Sequence, residues 1–154
     1  MPAFFFDSSA LGKCYINEVG SVWARAILAP ASGNDIHVLR IAEVEVASAI
    51  IRRQRGGAIS ASAAASALGQ LQHDLATEII LLELSSQLFT SAVSLVHKHG
   101  LRAYDAVQLA GAVDLSRVRA AANLPPLSIV SADLELNAAA QVEGIAVEDP
   151  NNHP

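Results

Sequence analysis

The chain has a single cysteine, Cys14, in 154 residues. An internal disulfide is therefore excluded, and a reducing compartment is the expectation. Cys14 itself reads as a residue packed on a helix face. Aromatics are scarce, at 5% of the chain, so aliphatic and alanine side chains must fill the core. No apolar run reaches the roughly 20 residues of a membrane-spanning helix. No basic leader precedes an apolar stretch, so export is not expected and a cytoplasmic location is. Basic residues are outnumbered, 10 against 15 acids, for a net charge of −5 and a pI near 5.4. That balance argues against a broad basic surface for nucleic acid, but not against an acidic pocket with basic residues at its rim. There is no glycine-rich phosphate loop, since Gly56-Gly57 lacks a Lys-Ser/Thr partner. A Gly-x-Ser-x-Gly elbow is also missing. His97 and His99 are two residues apart and do not share a helix face. His37 and His73 are isolated and read as structural or exposed.

What the chain has is apolar residues, 52% of the total, cut into short runs that alternate with helical patterns. Ala3-Phe4-Phe5-Phe6 is an aromatic run ended by Asp7-Ser8-Ser9, which reads as a buried strand feeding a capped helix. Ile36 to Leu39, Ile79 to Leu82, Leu127 to Val130 and Ile145 to Val147 read as four further strands. Between them, helices are predicted over 9–17, 21–28, 43–55, 60–76, 85–99, 104–119 and 133–142. In the second of these, Val22, Ala26 and Ile27 are expected to face inward, with Trp23 partly so. Basic residues Arg52, Arg53 and Arg55 close the third, where positive charge suits the helix dipole. Strands alternating with helices throughout predict an α/β fold, three layers with a central parallel five-stranded sheet. One domain over residues 1–148 is expected, followed by a short flexible tail at 149–154.

Four acids occupy comparable places in this pattern. Asp7 follows the first strand. Asp133 follows the fourth by the same grammar: apolar run, serine, acid, helix. Glu45, or in a competing register Glu43, lies early in the helix after strand two. Asp105 lies in the first turn of the helix after Gly100. Strand carboxyl ends and helix amino ends share one edge of a parallel sheet, so all four can meet there. Crowded carboxylates repel and lose solvation unless a cation sits among them. Oxygen donors of this kind select Mg²⁺ or Mn²⁺. A plainer reading gives each acid only the role of helix cap or first-turn acid. Arg52, Arg53, Arg55, Lys98 and Arg102 are candidates to contact phosphates or, more simply, solvated surface charges.

Phe6-Asp7-Ser8-Ser9-Ala10-Leu11-Gly12-Lys13 resembles the opening of PIN-domain ribonucleases, and within them of VapC-type toxins from bacterial toxin–antitoxin pairs. Glu45-Val46-Ala47-Ser48-Ala49-Ile50, closed by Arg52-Arg53, resembles the helix with the family's second acid; this register favours Glu45 over Glu43. Leu101-Arg102-Ala103-Tyr104-Asp105-Ala106 resembles the third motif, and Ser131-Ala132-Asp133-Leu134 the fourth. The likeness covers nearly the whole chain in order. Gly12 and Ser8 depart from the usual residues at their positions without removing an acid.

The resemblance implies a PIN-like fold and an Mg²⁺- or Mn²⁺-dependent endoribonuclease that cleaves single-stranded RNA. Asp7, Glu45 and Asp105 are implied as metal ligands, Asp133 as a ligand directly or through water, and Ser8 as a supporting hydroxyl that orients Asp7. A homodimer and a cognate antitoxin are implied as partners. Two alternatives stand beside it. One is a non-catalytic module of the same fold that binds RNA or protein. The other, a haloacid-dehalogenase-type phosphotransferase, wants a second acid two residues after the first, where this chain has Ser9.

Overall fold

The computed structural model describes residues 1–154. Strand β1, Ala3–Phe6, is the centre of the sheet. Its side chains alternate, so Ala3 and Phe5 enter one core and Phe6 enters the other. Phe5 and Phe6 are both fully buried. Burying each contributes about 1.5–3 kcal/mol, so neither face of this strand tolerates solvent. That double burial is why the strand reads as a continuous apolar run rather than an alternating one.

The remaining strands are β2, Asp35–Leu39; β3, Ile79–Leu82; β4, Leu127–Val130; and β5, Ala146–Glu148. They form one sheet in the order β3-β2-β1-β4-β5, every neighbouring pair parallel. Seven helices cover it: α1, Ser8–Tyr15; α2, Ser21–Leu28; α3, Ile41–Arg55; α4, Ala61–Thr77; α5, Ser86–His99; α6, Ala103–Ala121; and α7, Leu134–Val142. The core on one face of the sheet takes residues from α1 to α4, and the other takes residues from α5 to α7. Three layers around a parallel five-stranded sheet are thus what the sequence pattern predicts. No helix is long and apolar enough to cross a membrane.

The order reverses at β1, whose neighbours β2 and β4 lead their chains to opposite faces. Crevices at such a switch point open at the strand carboxyl ends. The Asp7 N–H donates to the Val130 carbonyl and the Ser131 N–H to the Glu148 carbonyl. These two bonds carry the sheet ladder past its last residues and fix the backbone on which the acids stand. On α6, Gly111 lets the helix lie close to the sheet, since a Cβ there would come 2.8 Å from Leu39 Cδ1.

Two expectations are corrected. Helix α2 turns Ser21, Ala24 and Leu28 inward, while Val22 is 76% exposed and Ala26 is also exposed. Its sequence is apolar nearly all round, so periodicity over two turns cannot set its phase. Residues 149–154, expected as a flexible tail, fold back instead. Pro150–Asn152 form a 3₁₀ turn capped by the Asp149 carboxylate, and Pro150 is buried. His153 stacks on Trp23 of α2 with ring centroids 4.1 Å apart and planes 2° from parallel.

His37 on β2 is buried, and neither ring nitrogen has a hydrogen-bond partner. Burial lowers its pKa, the Arg119 guanidinium lowers it further, and Asp35 opposes them. The unfolded chain therefore takes up a proton first as pH falls. The stability associated with neutral His37 is present above about pH 6.5 and is lost below it. Replacing His37 by Leu should stabilise the fold by on the order of 1–3 kcal/mol at pH 7, because an unpartnered buried polar ring is removed. The difference in melting temperature between His37→Leu and the parent should widen from pH 7 to pH 5. A constant difference would assign no titration to this ring.

Candidate active site

Asp7 leaves β1 with extended backbone and caps α1, its Oδ1 accepting from the Ala10 N–H at 2.9 Å. The capping role is therefore real, but it uses only part of the carboxylate. Ser9 Oγ lies 2.7 Å from Oδ1 and 2.9 Å from Oδ2, and Ser131 Oγ donates to Oδ2 at 2.9 Å. Asp7 is only 4% exposed. Burial is the main influence on its proton and drives the pKa up to about 6, against the hydrogen bonds that lower it. The charge of Asp133 adds to the rise. A carboxylate anchored by three donors, yet costly to ionise where it is buried, gains most from a positive partner.

Asp133 occupies the same station after β4. It caps α7 through Oδ1, which accepts from the Leu136 N–H at 2.9 Å, and its own N–H donates to Ser131 Oγ. Ser131 thus bridges the two acid-bearing turns. Ser9 does the same from the other side, since its Oγ accepts from the Ala132 N–H at 2.9 Å. Asn137 of α7 donates to the Ser131 carbonyl and holds the turn from behind.

Glu45 lies one turn into α3, beside Ser8 and Gln108. Its Oε1 is buried without any hydrogen-bond partner. Burial raises its pKa, Ser8 and Gln108 pull the other way, and the Asp105 charge adds to the rise. Glu43, the competing register, instead faces Arg40 at 3.6 Å in an exposed ion pair. Asp105, in the first turn of α6, has its pKa raised by burial first, then by Asp133; Arg102 lowers it and Glu135 raises it. Electrostatic influence therefore runs between Asp7 and Asp133, between Asp105 and Asp133, and between Glu45 and Asp105. These acids come from four separate elements, and each lies within electrostatic reach of at least one other.

One role is reassigned. Ser8, expected to orient Asp7, accepts from Gln108 Nε2 at 3.0 Å and serves the Glu45 side of the patch. The hydroxyls on Asp7 belong to Ser9 and Ser131. Sequence reasoning missed both of these, and Gln108 as well. Ser9 and Ser131 each stand within two residues of an acid, a signal that was legible. Gln108 lies one helical turn after Asp105, so it shares that residue's face. It is 2% exposed, and its Oε1 has no partner.

As the side chains stand, no three His, Cys, Asp or Glu residues are gathered closely enough to hold an ion. The donor chemistry nonetheless fits Mg²⁺ or Mn²⁺: every candidate atom is a hard oxygen, and Glu45 Oε1 is a buried acceptor with nothing to accept. His97 and Glu43 lie outside the patch. His99 is bound to Glu143, the C-cap of α7, with Nε2 2.7 Å from Oε1.

No protein-family model matches the sequence, and a search of curated proteins gives no match. Solved structures do match. PAE2754 from Pyrobaculum aerophilum is similar with a TM-score of 0.63 at 18% identity, over 98% of this chain and 91% of that one. The Mycobacterium tuberculosis toxin VapC20, which cleaves the sarcin–ricin loop, has a TM-score of 0.62 at 16% identity, over 88% of this chain and 94% of its own. A toxin–antitoxin complex from Klebsiella pneumoniae has a TM-score of 0.58 at 18% identity, over 95% of this chain and 96% of that one. Identities this low carry the fold alone. The architecture is the PIN-like fold of VapC-type proteins along nearly its full length.

Proposed function

We propose that this chain is a metal-dependent endoribonuclease of single-stranded RNA, the toxin of a toxin–antitoxin pair. One observation carries the reading. Asp7, Glu45, Asp105 and Asp133, from four elements at the switch point, are linked pairwise by charge, with Asp7 buried and Glu45 Oε1 unpartnered. An arrangement that raises three carboxyl pKa values serves no packing purpose, and perturbed groups of this kind mark functional sites. The family resemblance and the fold support the same reading, together with a homodimer and an antitoxin that covers the patch.

Asp7, Glu45 and Asp105 would hold Mg²⁺ or Mn²⁺, with Asp133 as a direct or water-bridged fourth. Bound there, the ion would neutralise charge on the scissile phosphate and activate a water for in-line attack. The protein's own part is positioning. Ser9 and Ser131 fix the plane of the Asp7 carboxylate by donating to it. Gln108 holds Ser8 from α6 and so ties the α1 and α6 sides of the patch together.

Cleavage of single-stranded RNA should require Mn²⁺ or Mg²⁺ and stop in a chelator. Asp105→Asn should lower it by at least about 100-fold, the scale expected when an electrostatic group is removed from a preorganised site. Equal cleavage by Asp105→Asn and parent would reject the assignment.

A second reading, a non-catalytic module that binds RNA or protein, is favoured by one fact: no three acids are closed up on a common point. Metal titration separates the two. A nuclease site should raise the melting temperature with Mn²⁺, whereas a binding module should not respond.

A further inference from the structure

An acidic patch that acts on RNA has an electrostatic problem, since its substrate is a polyanion and its own carboxylates repel it. A cation beside the patch must hold the backbone, and most cations of this chain are already engaged. Lys13 and Arg53 pair with Glu18, Arg40 with Glu43 and Glu83, Lys98 with Glu143, Arg117 with Asp114 and Arg119 with Asp35, while Arg25 donates to Asn17. Arg52 and Arg55 lie in the last turn of α3, two or more turns beyond Glu45. Arg102 differs from all of these. It is exposed, its side chain forms no ion pair, and its charge reaches Asp105.

Two residues on stands Tyr104, which is 59% exposed and directly precedes Asp105. Its ring stacks on no other aromatic, and its hydroxyl makes no hydrogen bond. The turn that carries it is anchored on both sides: Leu101 is 6% exposed, and Ala106 and Leu109 are fully buried. Tyr104 is therefore presented by a fixed backbone rather than a fraying end. Most other aromatics lie in or against a core, and Phe89, also exposed, sits on α5, which carries none of the four acids. An unpartnered aromatic face on an anchored turn, two residues after a free guanidinium that stands ahead of the helix on extended backbone, matches the elements that hold single strands, a stacking platform and a backbone contact.

The geometry points to Arg102 and Tyr104 as the substrate-holding pair of this site, Arg102 on a phosphate and Tyr104 stacked on an unpaired base. This rests on the ribonuclease reading and extends it by explaining why the strand must be single. A paired base presents no free face to Tyr104.

The test uses the full chain, with fluorescein-labelled single-stranded RNA for anisotropy in Ca²⁺ and for cleavage in Mn²⁺. Tyr104→Ala should raise both Kd and KM about ten-fold, the lower half of the range for one lost base stack, while kcat stays within about two-fold. Tyr104→Phe keeps the ring and should match the parent. Arg102→Gln should reduce the slope of log K against log salt by about 0.7, one phosphate on a single strand, whereas Tyr104→Ala should leave the slope unchanged. If the parent binds and cuts RNA but Tyr104→Ala binds as tightly, the platform is refuted. An unchanged slope in Arg102→Gln refutes the phosphate contact. A hydroxyl role replaces stacking if Tyr104→Phe is impaired as much as Tyr104→Ala. If the parent neither binds nor cuts the RNA, the nuclease reading itself fails, a result distinct from the other three.

Discussion

Asp7→Asn should abolish RNA cleavage and at the same time make the metal-free protein more stable at pH 7.5. The two effects have one cause. Asp7 is buried with a pKa raised to about 6, from an ordinary value of 3.8. The folded state therefore holds its proton to higher pH than the unfolded chain does. Stability from this group is fully present below about pH 4 and is lost as pH rises through about 6. At pH 7.5 the ionised carboxylate destabilises the metal-free fold by roughly 3 kcal/mol, at about 1.4 kcal/mol per pKa unit. Asparagine removes that charge but keeps the cap, since its carbonyl can still accept from the Ala10 N–H. Its amide can donate to Ser9 and Ser131, whose hydroxyls now donate to Asp7.

Thermal melting with and without Mn²⁺ reads the stability effect, and a cleavage assay reads the loss of activity. The parent should gain about 2.7 kcal/mol at a metal concentration one hundred times Kd. The variant should start higher, gain little from the metal, and lose the parent's fall in stability between pH 4 and pH 6. His37 works against Asp7 in part of this range, so the comparison must be variant against parent at each pH. Should Asp7→Asn melt below the parent at pH 7.5 without metal, Asp7 is a structural cap rather than a charge waiting for a cation.

Gly20→Ala should be the most damaging of the single-methyl additions, and its effect should appear far along the chain. Gly20 has φ +83°, a conformation that costs an L-residue about 1–2 kcal/mol. The added Cβ would also overlap the backbone carbonyl of Pro150, which cannot rotate away as a side chain could. The tail must lift off α2. Since Pro150 is buried and His153 stacks on Trp23, both contacts would be lost together. The combined destabilisation should exceed about 2 kcal/mol, at the upper part of the usual range for point substitutions. Trp23 is the only tryptophan, so its fluorescence reports the stack directly. Gly20→Ala and deletion of residues 149–154 should give the same emission change. An unchanged Trp23 signal in Gly20→Ala would mean the tail stays docked.

Strand and helix order was legible because each strand is a short apolar run ended by a turn residue or a cap. The acids were legible for a related reason: a parallel sheet sends all strand carboxyl ends to one edge, so position along the chain implies position in space. Glu45 over Glu43 was legible only through the resemblance. In the structure Glu43 faces Arg40, while Glu45 Oε1 is buried. Which hydroxyl serves which acid was not legible. Ser8 and Ser9 are neighbours on a helix whose entry angle is set by the β1–β4 ladder, and that angle sends Ser9 to Asp7 and Ser8 to Gln108.

By itself, then, the sequence determined the alternation of elements, the parallel sheet and the edge on which the carboxylates stand. These follow from local periodicity and from the handed connection of one strand to the next. Only the tertiary structure decided the phase of α2, the docking of the tail against Gly20 and Trp23, and the serine and glutamine network around Asp7 and Glu45. Each of those depends on contacts between residues far apart in the chain, as Trp23 and His153 of the α2–tail pairing, 130 positions apart, illustrate. No local preference encodes such a contact, because the free energy that selects it appears only when both surfaces are already in place.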